Sequence, residues 1–381
     1  AQVQAYDAKR AKHAKRQQTM VAQQARQVPQ QVLDYHYFLM DPGIPNRVKQ
    51  VARGGRNNLK NYAKAVKKFD FPPNSPFFVE SSALFRACRP KQWTKNFLVF
   101  AAPFFAFRLE PDVWFNSVWA LIAFCMISSA IYLLNDSIDA ESDRKHLRKC
   151  YRPIAARLLS VPTALTASAL LAVVSLTITA PISILLAGVI LAYGLIQVAY
   201  CLRLKREPLL DLVCIASGFL LRAIAGGVAA GLALSPWFLL TVGLLALFLA
   251  VEKRKAELQL AQENETITRK ALERYSLPLL ARLESLVSTS AFMSYSLWAS
   301  GPTLNGASSS WMLLTVPFVL VAIFRYQLLS DPEEAQRRRV LNPECTIEKP
   351  EEILLHDRGI KLTLLGWLIT TAVIGSVRHL S

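Results

Sequence analysis

The chain has 381 residues, is 52% hydrophobic and carries a formal net charge of +17; its mean hydropathy is +0.27. That composition excludes a protein soluble throughout: several apolar stretches reach about 20 residues, enough to cross a bilayer, and they set aside the two or three soluble domains that length alone suggests. The charge is uneven, because residues 1–70 hold 14 Lys and Arg against 4 Asp and Glu and so supply ten of the seventeen net charges.

Residues 1–84 read as a basic, mostly helical N-terminal extension, with helices predicted over 8–26 and 57–69. Turns are expected at Asp41-Pro-Gly-Ile-Pro45 and Phe71-Pro-Pro-Asn-Ser-Pro76. Lys9, Arg10, Lys12, Lys15, Arg16 and Arg26 against the single acid Asp7 resemble a mitochondrial targeting segment or the remnant left by its cleavage. A basic tail held at anionic headgroups is the other reading. An extension of this kind also suits attachment to other subunits of a membrane complex.

Residues 85–381 form a transmembrane domain. Its apolar runs lie near 97–107, 112–134, 160–179, 181–202, 208–232, 235–251, 285–300, 310–329 and 359–377, giving an all-α membrane protein of nine spans, the first and seventh of them short. Basic residues fall in alternate connections: Arg144 to Arg157, Arg203 to Arg206, Lys253 to Arg282, and Arg337 to Arg339. The positive-inside rule therefore puts the N-terminus inside, in an organellar inner membrane or, alternatively, a bacterial plasma membrane. The six cysteines have no metal-ligand spacing and are expected to be reduced packing residues. No nucleic-acid partner is expected.

The second run ends in Asn135-Asp136-Ser-Ile-Asp139-Ala-Glu-Ser-Asp143-Arg144. Asp136, Asp139 and Asp143 are spaced i, i+3, i+7, so a continuing helix aligns them on one face, where they repel unless something cationic sits among them. Hard carboxylate oxygens in that pattern suit Mg²⁺, which binds through one or two carboxylates plus substrate phosphates. A solvated helix end would also be acidic. Lys145, Arg148, Lys149 and Arg152 follow at once, however, and metal ligands beside phosphate-binding cations are what a diphosphate requires.

A second cluster is Tyr200-Cys-Leu-Arg-Leu-Lys205 with Asp211 and Arg222. Asp211 and Arg222 lie on one face of the fifth span, roughly 16 Å apart in depth. An arginine at such depth normally faces a polar cavity; an intramembrane ion pair holding two helices is the alternative. The run Ala223-Ile-Ala-Gly226-Gly227 permits close helix approach. Arg325 is expected to snorkel. Arg89-Pro-Lys91-Gln-Trp93-Thr-Lys95-Asn96 adds Lys91 and Lys95 just before the first span.

Asn135-Asp-x-x-Asp139-x-x-x-Asp143-Arg144 with Arg152-Pro-Ile-Ala155 resembles the first aspartate motif of the UbiA superfamily of intramembrane prenyltransferases, and Tyr200-x-x-x-Leu-Lys205 with Asp211 resembles its second. Arg89 to Asn96, Leu221-Arg-Ala-Ile-Ala-Gly-Gly227, Lys253-Arg-x-Ala-Glu-Leu258 and Pro350-Glu-Glu…Asp357-Arg358 are similar to its decaprenyl-phosphate phosphoribosyltransferase branch. Two positions depart: Leu147 follows His146 where the family usually has proline, and Arg157 stands where glycine is expected.

The resemblance implies a nine-helix UbiA-type bundle that transfers a 5-phosphoribosyl group from phosphoribosyl diphosphate to a polyprenyl phosphate and releases diphosphate. By it, Mg²⁺ is held by Asp136, Asp139 and Asp143, which with Lys205 and Asp211 form the catalytic set. Lys91, Lys95, Asn135, Lys145, Arg148, Arg152, Tyr200 and Arg222 bind substrate. An aromatic prenyltransferase of the same superfamily, or a homologue serving as a structural subunit of an organellar complex, is the alternative. The partners expected are the two substrates, membrane lipids, and subunits bound through residues 1–84.

Overall fold

A computed structural model describes residues 76–108, 110–144, 149–263, 270–331, 334 and 357–380. The helices predicted over 8–26 and 57–69, and the side chains of Lys145 and Arg148, lie outside the described residues. The chain divides into two compact units, Ala1–Phe78 and Val79–Ser381, and the apolar helices belong to the second.

The described residues are mostly helical. Helix α1 (Pro76–Ala87) leads into a 3-10 segment, Pro90–Phe100, and the short α2 (Ala101–Phe105). Then come α3 (Pro111–Ile138), α4 (Ala140–Arg144), α5 (Val161–Thr179), α6 (Ile184–Leu202), α7 (Leu210–Ala229), α8 (Pro236–Glu263), α9 (Leu277–Ala299), α10 (Val316–Ser330) and α11 (Arg358–Leu380). Starts are encoded locally. Ser160 and Ser276 cap α5 and α9 by accepting the amide three residues on, at 3.1 and 3.3 Å, and each cap precedes a first turn containing proline.

Among the described residues, seven helical stretches are long and apolar enough to cross a membrane: Pro111–Ile138, Val161–Thr179, Ile184–Leu202, Leu210–Ala229, Pro236–Gln259, Ser310–Ser330 and Arg358–Val377. The two short runs of the nine become the broken 3-10/α2 segment and α9, whose first half carries Arg282 and Glu284. Pro90 and Pro103 explain the broken segment, since proline lacks the amide that a regular helix interior needs. Large apolar side chains such as Leu170, Ile184, Leu195 and Leu362 face outward, which suits hydrocarbon and would be a liability in water.

Helices α3 and α7 form the centre and are the most buried of these membrane-length helices. Helix α7 packs on α3, α6, α8 and the 3-10 segment. The small residues of α7 make that last contact possible. A Cβ at Gly226 would overlap the Val99 carbonyl and one at Gly227 the Leu234 side chain, whereas Gly243 on α8 has open space around it. Arg325, expected to snorkel, is partly exposed and also grips Asp357 through Nε at 2.6 Å and Nη2 at 3.1 Å, tying α10 to α11. Asp357 in turn accepts the Ile360 amide at 2.8 Å and so caps α11.

Two outcomes test this packing. Gly226→Ala is expected to lower the unfolding temperature in detergent by several degrees, as overpacking costs about 1–3 kcal/mol, while Gly243→Ala stays neutral or gains slightly. The Arg325 guanidinium above all, then the Ile360 amide, holds the Asp357 carboxyl below its ordinary range. A depressed folded value gives stability that is full above the unfolded value of about 3.9 and is lost as pH falls through the folded one. Asp357→Asn keeps the cap, so it should lower the unfolding temperature modestly at pH 7, screened by solvent. That difference should close in acid; a difference unchanged down the whole acid range would count against the pair.

Candidate active site

Helix α3 runs to Ile138, breaks for one residue at Asp139 (φ −88°, ψ 3°) and resumes as α4, with the Asp143 amide donating to the Asp139 carbonyl at 2.8 Å. The three aspartates thus emerge on neighbouring turns. Each is met by a cation from another part of the chain. Arg152 Nη1 lies 2.9 Å from Asp136 Oδ1 and 2.7 Å from Asp143 Oδ2, bridging them. Arg89 Nη2 donates to both oxygens of Asp136, at 2.6 and 2.9 Å, with its guanidinium over the Tyr132 ring. Lys205 Nζ sits 2.7 Å from each oxygen of Asp139 and 3.3 Å from Asn135 Oδ1.

Asp136 and Asp143 are almost fully buried, and Asp139 is partly open. Three carboxylates facing three cations leave this cluster near neutrality. Among the described residues no three His, Cys, Asp or Glu side chains stand as a ready metal-ligand group. The donor set nevertheless fits Mg²⁺. It is made of hard oxygens, and two of the carboxylates already converge on one positive centre, the place Arg152 Nη1 takes.

Asp211, expected in the catalytic set, is placed differently. It is 1% exposed, with Oδ2 accepting from Arg254 Nε at 2.7 Å and Oδ1 from the Tyr275 hydroxyl at 2.8 Å. Both of its oxygens are thus engaged by protein donors. The intramembrane ion pair considered for Arg222 is in fact made by Arg254, which is wholly buried and also pairs with Glu257. Burial first, then the adjacent Asp211, pushes the Tyr275 phenol up to about 12, so it remains a donor at neutral pH.

Arg222 meets neutral acceptors only among its described contacts. Its Nε donates to Asn96 Oδ1 at 2.7 Å, Nη1 to the Gly218 carbonyl at 2.6 Å, and Nη2 to Tyr193 Oη at 3.0 Å and Ser128 Oγ at 3.3 Å. Its guanidinium also lies over the rings of Tyr193, Phe124 and Phe219. Phe219 lines an apolar cavity of about 600 Å³ bounded by the 3-10 segment, α2, α3, α7, α8 and α11, with Lys95 its charged lining residue and Phe105, Trp114, Leu249 and Trp367 among the rest. Lys91 is exposed and Tyr200 partly buried on the last turn of α6.

Three participants were not assigned from sequence. Arg89 opens one of the motifs, but its register gives no sign that it reaches Asp136. Arg254 carries a usable signal, an arginine at the end of an otherwise apolar run. Tyr275 carries none, since its partners are 64 and 66 residues away.

The profile of the UbiA prenyltransferase family matches residues 96–342. The decaprenyl-phosphate phosphoribosyltransferase of Mycolicibacterium smegmatis is 41% identical over 302 residues, covering 76% of this chain and 91% of its own. The proteins of the same name from Corynebacterium glutamicum (37% over 298 residues; 76% and 85%) and Mycobacterium tuberculosis H37Rv (38% over 293 residues; 75% and 91%) are also similar. Among solved structures, digeranylgeranylglyceryl phosphate synthase superposes with a TM-score of 0.57 at 15% identity, covering 78% of this chain and 99% of that one. A UbiA homolog from Archaeoglobus fulgidus bound to DMAPP and Mg²⁺ gives 0.55 at 19%, covering 77% and 99%. The chain belongs to the UbiA prenyltransferase family.

The departure at Arg157 has a visible consequence. Its backbone sits at φ 62°, the left-handed region that glycine enters freely and other L-residues enter at a cost of about 1–2 kcal/mol. Its side chain is exposed. Arg157→Gly is therefore expected to hold or raise the unfolding temperature, although glycine also loosens the unfolded chain; a clear loss would mean that the side chain has a role the backbone does not reveal.

Proposed function

We propose that the chain transfers a 5-phosphoribosyl group from phosphoribosyl diphosphate to a polyprenyl phosphate, with Mg²⁺, releasing diphosphate. The carrying observation is the cluster of Asp136, Asp139 and Asp143 matched by Arg89, Arg152 and Lys205 in a chain that also holds an apolar cavity with a lysine in its wall. The names of relatives at 37–41% identity support the choice of donor and acceptor, and the archaeal homolog solved with Mg²⁺ supports the metal.

Asp136 and Asp143, with Asp139, would hold Mg²⁺, which supplies Lewis-acid and electrostatic stabilisation to the leaving diphosphate. Arg152 and Arg89 are paired with carboxylates until a diphosphate offers oxygens of its own, and guanidinium forks suit that geometry. In the transfer, the bond from the sugar's anomeric carbon to diphosphate breaks with its electron pair leaving on diphosphate, and an acceptor phosphate oxygen bonds that carbon. The acceptor is already anionic, so no general base is needed. Lys95 and the uncompensated charge of Arg222 behind Phe219 favour the acceptor's phosphate near the cavity, whose walls take the prenyl chain. Lys145 and Arg148 would add to the diphosphate clamp, and Lys91 and Tyr200 to its approach.

The charged loops and N-terminus are proposed to face the cytoplasm by the positive-inside rule. The curated transferase relatives are bacterial, which favours a plasma membrane over the mitochondrial reading of the basic prefix. Residues 1–84 would add attachment to lipid headgroups or partner subunits.

Purified protein with Mg²⁺, labelled phosphoribosyl diphosphate and a polyprenyl phosphate is expected to move label into the lipid phase. Label entering lipid only from a prenyl diphosphate and an aromatic acceptor would instead establish the prenyltransferase reading. Asp136→Asn and Asp139→Asn should each cut turnover by about 100-fold or more in protein that still elutes as a single species. Leu368→Trp, which narrows the cavity from a lipid-facing position on α11, should raise KM for the acceptor and leave that for the donor unchanged.

A further inference from the structure

Lys205 approaches both oxygens of Asp139 at 2.7 Å, yet it stands on a three-residue 3-10 turn, Leu204–Arg206, between α6 and α7. A lysine side chain is long and rotamer-rich, so a grip of that kind needs its base held. The turn is joined to the start of α7 by consecutive backbone hydrogen bonds, from the Glu207 amide to the Leu204 carbonyl at 3.1 Å and from the Asp211 amide to the Glu207 carbonyl at 3.2 Å. Between them Leu209 adopts φ 65°, ψ −43°, a conformation that a leucine takes only where its surroundings impose it.

One hydroxyl meets both sides of this turn. The Leu209 amide donates to Tyr275 Oη at 2.7 Å, and the same hydroxyl donates to Asp211 Oδ1 at 2.8 Å. Arg254 closes the other side of Asp211 from α8. Its Nη2 is buried without a hydrogen-bond partner, an arrangement that would be wasteful if bulk packing were its only task, since an apolar side chain would carry no such cost. The second 3-10 turn, Lys270–Arg274, which ends just before Tyr275, also packs against the Lys205 turn.

We infer that Tyr275 and Arg254 are positioning residues that act through Asp211 and the strained Leu209 turn to hold Lys205 in the site where it meets the diphosphate of the substrate. This rests on the reading of the aspartate cluster as a diphosphate site. The effect is expected on affinity for the diphosphate-bearing substrate and not on the acceptor, because Tyr275 and Arg254 are not among the residues lining the apolar cavity.

The test is a double-mutant cycle on the full chain in detergent, with magnesium diphosphate as the calorimetric probe. Tyr275→Phe, which removes both hydrogen bonds and little volume, is expected to weaken binding about tenfold in the parent, to leave it unchanged in a Lys205→Ala background, and to leave KM for the polyprenyl acceptor unaltered. Equal weakening in both backgrounds, or no weakening while the unfolding temperature falls, would reduce the pair to structural glue and overturn the inference. Should Tyr275→Phe not fold, Arg254→Lys, which keeps the charge opposite Asp211, is judged by the same cycle. A parent protein that binds no magnesium diphosphate would fail the diphosphate site itself, and the positioning role with it; a parent that binds while the cycle is additive fails the positioning role alone.

Discussion

Arg152 reaches two carboxylates through a single nitrogen, one at the end of α3 and one on α4, and that bridge sets much else at the charged end of the bundle. Asp136 and Asp143 are nearly buried, where ionised groups persist only if paired. The pairing therefore dictates where the loop after α4 must return, and the Arg144 Nε bond to the Ala155 carbonyl at 3.2 Å helps to hold that return. The left-handed backbone at Arg157 lies in the same loop, two residues past Ala155. Arg89, itself at φ 53°, meets the same aspartate from the turn between α1 and the 3-10 segment. Charge matching at one carboxylate thus joins three separate stretches of chain.

Arg222 and Arg254, the buried arginines among the described residues, illustrate how partners set role. Arg254 is matched by Asp211 and Glu257, so its charge is cancelled locally and its effect is mechanical. Arg222 is satisfied by a carbonyl, an amide oxygen and two hydroxyls, which meet its hydrogen-bonding needs without cancelling its charge. In a medium of low dielectric that residual charge extends further than it would in water. A cation of that kind behind the wall of an apolar cavity is suited to an amphipathic anion, whereas a neutralised pair is suited to holding helices together.

Close packing by small residues supports both. The Val99 carbonyl sits against Gly226 where any Cβ would collide, which brings the 3-10 segment onto α7 and with it Asn96, the acceptor for Arg222 Nε. The irregular first segment therefore delivers an amide into the bundle's interior, where a buried polar group is costly unless it is hydrogen-bonded.

Hydropathy and charge in the sequence were enough to determine an all-helical membrane protein, the places of its long apolar helices among the described residues, the gathering of its charges in alternate connections, and the aspartate motif with its following cations. Those features are local: they depend on runs of apolar residues and on spacing within one helix. The short first run and α9, counted among the nine spans, are absent from the described helices of membrane-crossing length and hydropathy, the first being broken by prolines and the second carrying charge in its opening turns. Which cation meets which carboxylate was decided only in three dimensions. Asp211 and Arg222 share a helix and were read as one site, yet one faces Arg254 and Tyr275 and the other faces Asn96 and Tyr193. The reason is physical: a charge in a low-dielectric interior selects its partner by proximity and desolvation, and proximity between residues separated by 29 to 126 positions is a property of the packed bundle, not of spacing along the chain.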